Sequence, residues 1–192
     1  MNTQAIELET LKQLELMNKE NKTRPSLMLP KYLDGSLVIT NSFLALKISN
    51  EKYKEDGRTD YPNNVDKLFD GDEIGSIELS QSDMKSLKEI ASTFKRLKED
   101  TITITFNEDN FHIISGYSNN IEIKLPYHKI VFSGDIINEE IIINPKYLEQ
   151  MLAYYIKLKA GIIDIKIYGE DRLIQMTSGN VQYLACQIRK PR

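Results

Sequence analysis

A chain of 192 residues with net charge −3, 41% hydrophobic and 28% charged residues suits one large or two small globular domains and can bury a core. One cysteine, Cys186, excludes an intrachain disulfide framework and a multi-cysteine metal site. No apolar run reaches the roughly 18–20 residues that span a bilayer, and the charge balance excludes a polycation, though a local basic face would still suit a polyanion.

The single cysteine fits a reducing, cytosolic setting, and Met1-Asn2-Thr3-Gln4 shows no basic-then-apolar pattern. Residues 4–20 predict a helix with Ile6, Leu8, Leu11, Leu14 and Met17 on its apolar side. A loop to Pro25 follows, then a short strand at Leu27–Leu29. Asp34-Gly35 predicts a turn between Tyr32-Leu33 and Leu37–Thr40, and Asn41-Ser42 a second turn before Phe43–Ile48. Ser49 to Gly75 is dominated by charged residues and reads as a solvated, partly mobile connector, in which Val65–Phe69 could form a docking helical turn. It marks the boundary between a region 1–75 and a region 76–192.

Ile77–Leu79 predicts a short strand, and Ser80 or Ser82 an N-cap. The next helix, to about Lys98, places Met84, Leu87, Ile90, Ala91, Phe94 and Leu97 on one face. Lys85, Lys88, Lys95 and Arg96 gather on another side, interrupted by Glu89. Strands follow at Thr101–Phe106, Phe111–Ser115, Ile121–Leu125, Ile130–Phe132 and Glu140–Ile143. Asn144 caps a third helix, with Pro145 at its first position, Leu148, Met151, Leu152 and Tyr155 inside, and Lys146, Gln150, Ala153 and Lys157 outside. A three-stranded meander closes the chain: Ile162–Tyr168, Arg172–Thr177 and Val181–Ile188.

The hairpin Phe106–Ser115 matches Tyr168–Thr177 at an offset of 62 residues, each after an amphipathic helix, and Asp34–Thr40 is a weaker third echo. The sequence thus predicts an α+β fold of repeated helix-plus-antiparallel-meander units, helices on one face of a sheet. Six cations, Lys85, Lys88, Lys95, Arg96, Lys146 and Lys157, would then look out from two neighbouring helices.

Catalytic patterns are absent. His112 and His128 lack a third ligand at metal spacing, and Cys186 reads as a small buried hydrophobe. Glu108-Asp109 and Glu170-Asp171 are explained by hairpin tips, and Gly71–Gly75 has no lysine follow-up of a phosphate loop. No cofactor or metal is expected. Tyr154, on a helix flank, reads first as core and second as an interface side chain.

The order of helix, three strands, linker strands, helix, three strands over Ile77–Arg192 resembles the DNA sliding clamps, the polymerase processivity factors of bacteria and phages. Ile142–Leu148 looks like the segment that opens the final helix of the bacterial clamp, and Tyr183–Arg189 like its closing strand, with Gln187 where that family carries proline. Lys98–Ile104 resembles the second domain of short phage-type clamps.

The resemblance implies a DNA clamp fold with a partial or degenerate domain at 1–75, including the polar connector 49–75, and a complete one at 76–192. It implies a non-enzymatic homo-oligomer, a ring of two or three subunits around double-stranded DNA. That ring would tether a DNA polymerase or other replication protein in the cytoplasm of a bacterial cell, with a phage or mobile element as a source. The six cations would touch phosphate, and Cys186, Gln187 and Ile188 would line a partner groove. The other reading is a clamp-fold protein-binding module, or a regulator of a replication or recombination complex, that does not encircle DNA.

Overall fold

Local chemistry fixes the helix starts. In the computed structural model, which describes residues 3–62, 64–70, 75–106, 110–115, 122–126, 140–168 and 173–188, α2 spans Gln81–Arg96 and α3 spans Pro145–Lys157. Ser80 and Asp83 form a reciprocal capping box at the head of α2, and the Asn144 side chain accepts from the Lys146 amide at the head of α3. Both helices stop the same way. Lys98 and Lys159 take left-handed φ values of 60° and 55°, and the amides of Glu99 and Ala160 return to the carbonyls of Phe94 and Tyr155. The shared ending supports the repeat, although α3 has 13 residues and α2 has 16.

Eleven strands lie in two antiparallel sheets among the described residues. These are β1 (Lys31–Leu33), β2 (Ser36–Thr40), β3 (Leu44–Ser49), β4 (Gly75–Ser80), β5 (Ile102–Phe106), β6 (Asn110–Ser115), β7 (Glu122–Pro126), β8 (Glu140–Ile143), β9 (Ile162–Ile167), β10 (Leu173–Ser178) and β11 (Val181–Cys186). The sheet orders are β1-β2-β3-β11-β10-β9-β4 and β7-β6-β5-β8. The units therefore do not share one sheet, as side-by-side meanders would suggest. Each lends the strand before its helix to the other: β4 pairs with β9 (Ile77 opposite Ile165), and β8 with β5 (Ile141 opposite Ile104). This exchange holds α2 against α3, where Met84, Leu87, Ala91, Phe94, Leu148, Met151, Leu152 and Tyr155 are buried. Leu97, read as part of the inner face, is 48% exposed because α2 has ended before it.

The N-terminal elements join through β3, which pairs with β11 from Leu44–Ala185 to Ile48–Val181. Helix α1 (Thr3–Asn18) lies on the same side as α3. Its buried residues are Ile6, Glu9, Thr10, Gln13 and Met17, whereas Leu8 and Leu11 are exposed and Leu14 is half-buried. Leu8 and Leu11 are thus left at the surface, because α1 meets α3 through polar side chains; it reaches the core through Ile6 and Met17, with Leu14 packed at the core margin. The strand expected at Leu27–Leu29 is a 3-10 turn, Pro25–Met28; proline fixes φ for a first helical position.

The connector is polar but pinned. Leu27, Tyr61, Val65 and Phe69 bury the outer face of the large sheet over Val38, Ala45 and Leu184, which explains why β2 is buried on both faces. The docking turn is the 3-10 segment Asp66–Phe69. Along the outer edge of β1, Asp56 accepts from the Tyr32 amide and the Lys31 ammonium, and the Asp56 amide donates to the Tyr32 carbonyl. Arg58 donates to the carbonyls of Ser26 and Pro30. The strand expected at Ile130–Phe132, the turns at Glu108-Asp109 and Glu170-Asp171, and His128 lie outside the described residues.

Replacing Lys98 or Lys159 by glycine relieves a left-handed backbone and is expected to raise stability by about 0.5–1 kcal/mol in chemical denaturation. Burial pushes the Asp56 carboxyl up, but the Tyr32 and Arg58 amides and the Lys31 ammonium outweigh it and hold it at about 2, below the ordinary 3.8. The stability it contributes is present above about pH 4 and lost as pH falls toward 2. A pH titration of unfolding should show that loss shrinking in Asp56→Asn.

Candidate nucleic-acid interface

The helices form one layer in the order α2, α3, α1. Helices α2 and α3 touch along their length, and α1 runs antiparallel to α3, with Glu9 near Lys157 and Glu20 near Lys146. The α1–α3 seam is polar, and its central groups are paired. Gln13 accepts from Gln150 at 2.9 Å and from the Tyr183 hydroxyl at 3.0 Å, and Gln150 also donates to the Tyr183 oxygen at 3.1 Å. Thr10 donates to the Ile6 carbonyl, so the Tyr154 hydroxyl 3.1 Å away donates to Thr10. Tyr154 is thus a core side chain, fully buried with its hydroxyl bonded across the seam. Its ring meets Tyr155 and Tyr183 edge-on. Burial pushes the phenols of Tyr155 and Tyr183 well up, and that of Tyr154 to about 12, so all three stay neutral donors.

The six expected cations are all on this layer, and carboxylates meet four of them. Lys85 is exposed and makes no ion pair among the described residues, and Arg96 donates to Thr93. Lys88 pairs with its neighbour Glu89 at 3.1 Å. Lys95 reaches across to α3 and meets Glu149 at 2.6 Å, where Ser92 donates to the other carboxylate oxygen. Lys146 pairs with Glu20, and Lys157 lies 3.6 Å from Glu9, which also holds Lys12 at 2.5 Å. Burial pushes the Glu149 carboxyl up, but the bonds from Lys95 and Ser92 prevail and lower it, so it is charged at neutral pH.

Sequence reasoning missed Glu9, Glu20 and Glu149. Glu149 was legible, since it shares the outward stripe of α3 with Lys146 and Lys157; Glu9 and Glu20 needed the antiparallel placement of α1. The outward side of α1 shows Leu8 and Leu11 with Lys12 and Glu15, so it does not extend a basic stripe.

On the opposite face, the β3–β11 junction carries an apolar hollow of about 40 Å³, room for one methyl group or water. Phe43, Leu68, Leu173, Leu184 and Cys186 line it. Of the three residues expected to form a partner groove, only Cys186 lines it. Gln187 is half-buried, and Ile188 leaves toward the other sheet, its amide bonded to the Ile142 carbonyl. Cys186 is half-buried rather than fully buried because β11 ends at it; burial still pushes its thiol up, which disfavours thiolate chemistry. Among the described residues, no cluster of three or more His, Cys, Asp or Glu side chains is placed to hold a metal, and no helix is long and apolar enough to cross a membrane.

No protein-family model and no curated protein sequence matches the chain. Solved structures do match it in fold. The DNA polymerase III subunit beta of Borrelia burgdorferi, solved with a natural product, aligns with a TM-score of 0.70 at 12% identity over 94% of this chain. The sliding clamp of Bacillus subtilis aligns at 0.67, 14% and 93%, and the beta subunit of Streptococcus pyogenes DNA polymerase at 0.67, 13% and 92%. The chain covers 62%, 63% and 64% of those proteins, respectively. The fold is that of the bacterial DNA polymerase III beta sliding clamps, in a chain spanning less than two thirds of their length.

Gln13→Ala removes the acceptor shared by Gln150 and Tyr183 and is expected to cost about 1–3 kcal/mol in denaturant unfolding.

Proposed function

We propose that this protein is a non-enzymatic, sliding-clamp-like processivity factor. It would bind duplex DNA without sequence specificity through its helix layer and tether a replication polymerase or another replication protein. The observation that carries this reading is the placement of Lys85, Lys88, Lys95, Arg96, Lys146 and Lys157 on one surface of a clamp fold. Contacts from ammonium and guanidinium groups to phosphate give affinity without reading bases and so permit sliding. A tethered polymerase gains effective concentration at its template.

The domain reading goes with it. Residues 76–192 would be a complete clamp-like domain, supported by the exchanged strands β4 and β8, and residues 1–75 a partial one with one helix and three strands. A homo-oligomeric ring of two or three subunits has two candidate contact surfaces. One is the outer edge of β7, the last strand of its sheet among the described residues; the other is the α1 flank with Leu8 and Leu11 exposed. The outer edge of β1 is occupied by Asp56. The hollow at Phe43, Leu173, Leu184 and Cys186 is the candidate partner groove, with Gln187 and Ile188 at its border. A bacterial cytoplasmic setting, in a phage or mobile element, belongs to the same proposal.

A second reading is favoured by the ion pairs that neutralise much of the helix layer: a clamp-fold protein-binding module, or a regulator of a replication or recombination complex, that works through the outer hollow and does not encircle DNA.

Changing all six cations to glutamate separates the two. Fluorescence anisotropy with a labelled duplex should show binding by the wild type and none by the variant; Lys85→Glu/Arg96→Glu, at the two cations that meet no carboxylate among the described residues, should weaken binding with the circular-dichroism spectrum unchanged. Light scattering at micromolar concentration should show a dimer or trimer. A monomer that is not retained on circular DNA, or a variant that binds as tightly as the wild type, contradicts the clamp reading.

A further inference from the structure

The carboxylates of the helix layer are not loosely scattered surface charges. Glu9, Glu20 and Glu149 have side chains 11%, 24% and 21% exposed, whereas the lysines they meet, Lys157, Lys146 and Lys95, are 56%, 50% and 52% exposed. The acid lies beneath and the ammonium faces solvent. Each acid is also fixed from a second side: Glu9 by Lys12, Glu20 by the Asn41 amide group and Glu149 by the Ser92 hydroxyl. Glu89, by contrast, is 70% exposed beside Lys88 and has the form of an ordinary surface pair. A phosphate approaching Lys95, Lys146 or Lys157 from solvent therefore meets an ammonium with an anchored negative charge directly behind it.

We propose that Glu9, Glu20 and Glu149 are built-in competitors for polyanion on the helix layer, setting the contact with duplex phosphates to be weak. Two of the three belong to the N-terminal elements, Glu9 within α1 and Glu20 just after it, so two lysines of the C-terminal units also latch α1. Polyanion binding and the hold on α1 are then thermodynamically linked. Phosphate at Lys146 and Lys157 loosens α1, and removal of the carboxylates tightens phosphate binding. This rests on the reading of the helix layer as a phosphate-binding surface.

Anisotropy with one labelled duplex at fixed salt compares the wild type, Glu149→Gln, and the triple variant Glu9→Gln/Glu20→Gln/Glu149→Gln. Glu55→Gln in the connector is the control. The single change is expected to tighten binding about two- to five-fold and the triple about tenfold or more, with the control unchanged. Glu149→Gln alone decides the matter if loss of the mostly buried Glu9 carboxylate unfolds the triple variant. Hydrogen exchange in α1 should rise when duplex is added to the wild type. Wild-type binding that the single change, and the triple where folded, leave unaltered overturns this proposal alone. Absence of binding by every protein at about 50 mM salt overturns the phosphate-surface reading beneath it.

Discussion

Strand β4 precedes α2 in the chain but pairs with β9, and β8 precedes α3 but pairs with β5. Each helix is therefore anchored at its N-terminus to the sheet of the other unit. The apolar faces of α2 and α3 cannot separate without breaking a strand pair, and each large apolar side chain buried between them contributes about 1.5–3 kcal/mol. The orientation of the outward lysines follows from this exchange. So does the free outer edge of β11, to which β3 adds the N-terminal strands.

The N-terminal elements depend on that anchor in a different way. Their sheet is continuous with the first, but their helix joins the layer through Gln13, Thr10, Gln150, Tyr154 and Tyr183 rather than through leucines. A buried polar seam is geometrically demanding, because each group must find its partner, and so it fixes the position of α1 along α3. The same placement brings Glu9 and Glu20 to Lys157 and Lys146. Fold and surface charge are thus joined, since the junction that places α1 also neutralises part of the face.

Much of this was legible in the sequence. Ser80 and Asn144-Pro145 marked their helices, the β-branched runs marked most strands, and the matching hairpins exposed the repeat. Three things were not legible, each for a physical reason. Strand exchange is a choice between partners of equal hydrophobicity, so Ile77–Leu79 and Glu140–Ile143 carry no local sign of it. In α1, leucines at helical spacing outweighed Glu9, Thr10 and Gln13, and only the hydroxyl and amide partners on α3 and β11 reverse the burial. The charged connector looked solvated because its three anchors, Tyr61, Val65 and Phe69, are sparse among charges, yet each fills the outer face. Of the candidate site, the cations were legible as a set; their carboxylate partners, which decide the net charge of the face, came from elements distant in sequence.

The helix layer, rather than the outer face of the sheets, is the surface proposed to meet nucleic acid. Nuclear magnetic resonance of the lysine and arginine side chains during titration with a short duplex tests it most directly. Shifts should concentrate at Lys85, Lys88, Lys95, Arg96, Lys146 and Lys157 and be reversed by added salt. Shifts confined to Lys31, Lys47 and Arg58, beside the connector, or the absence of any salt-sensitive shift, would contradict it.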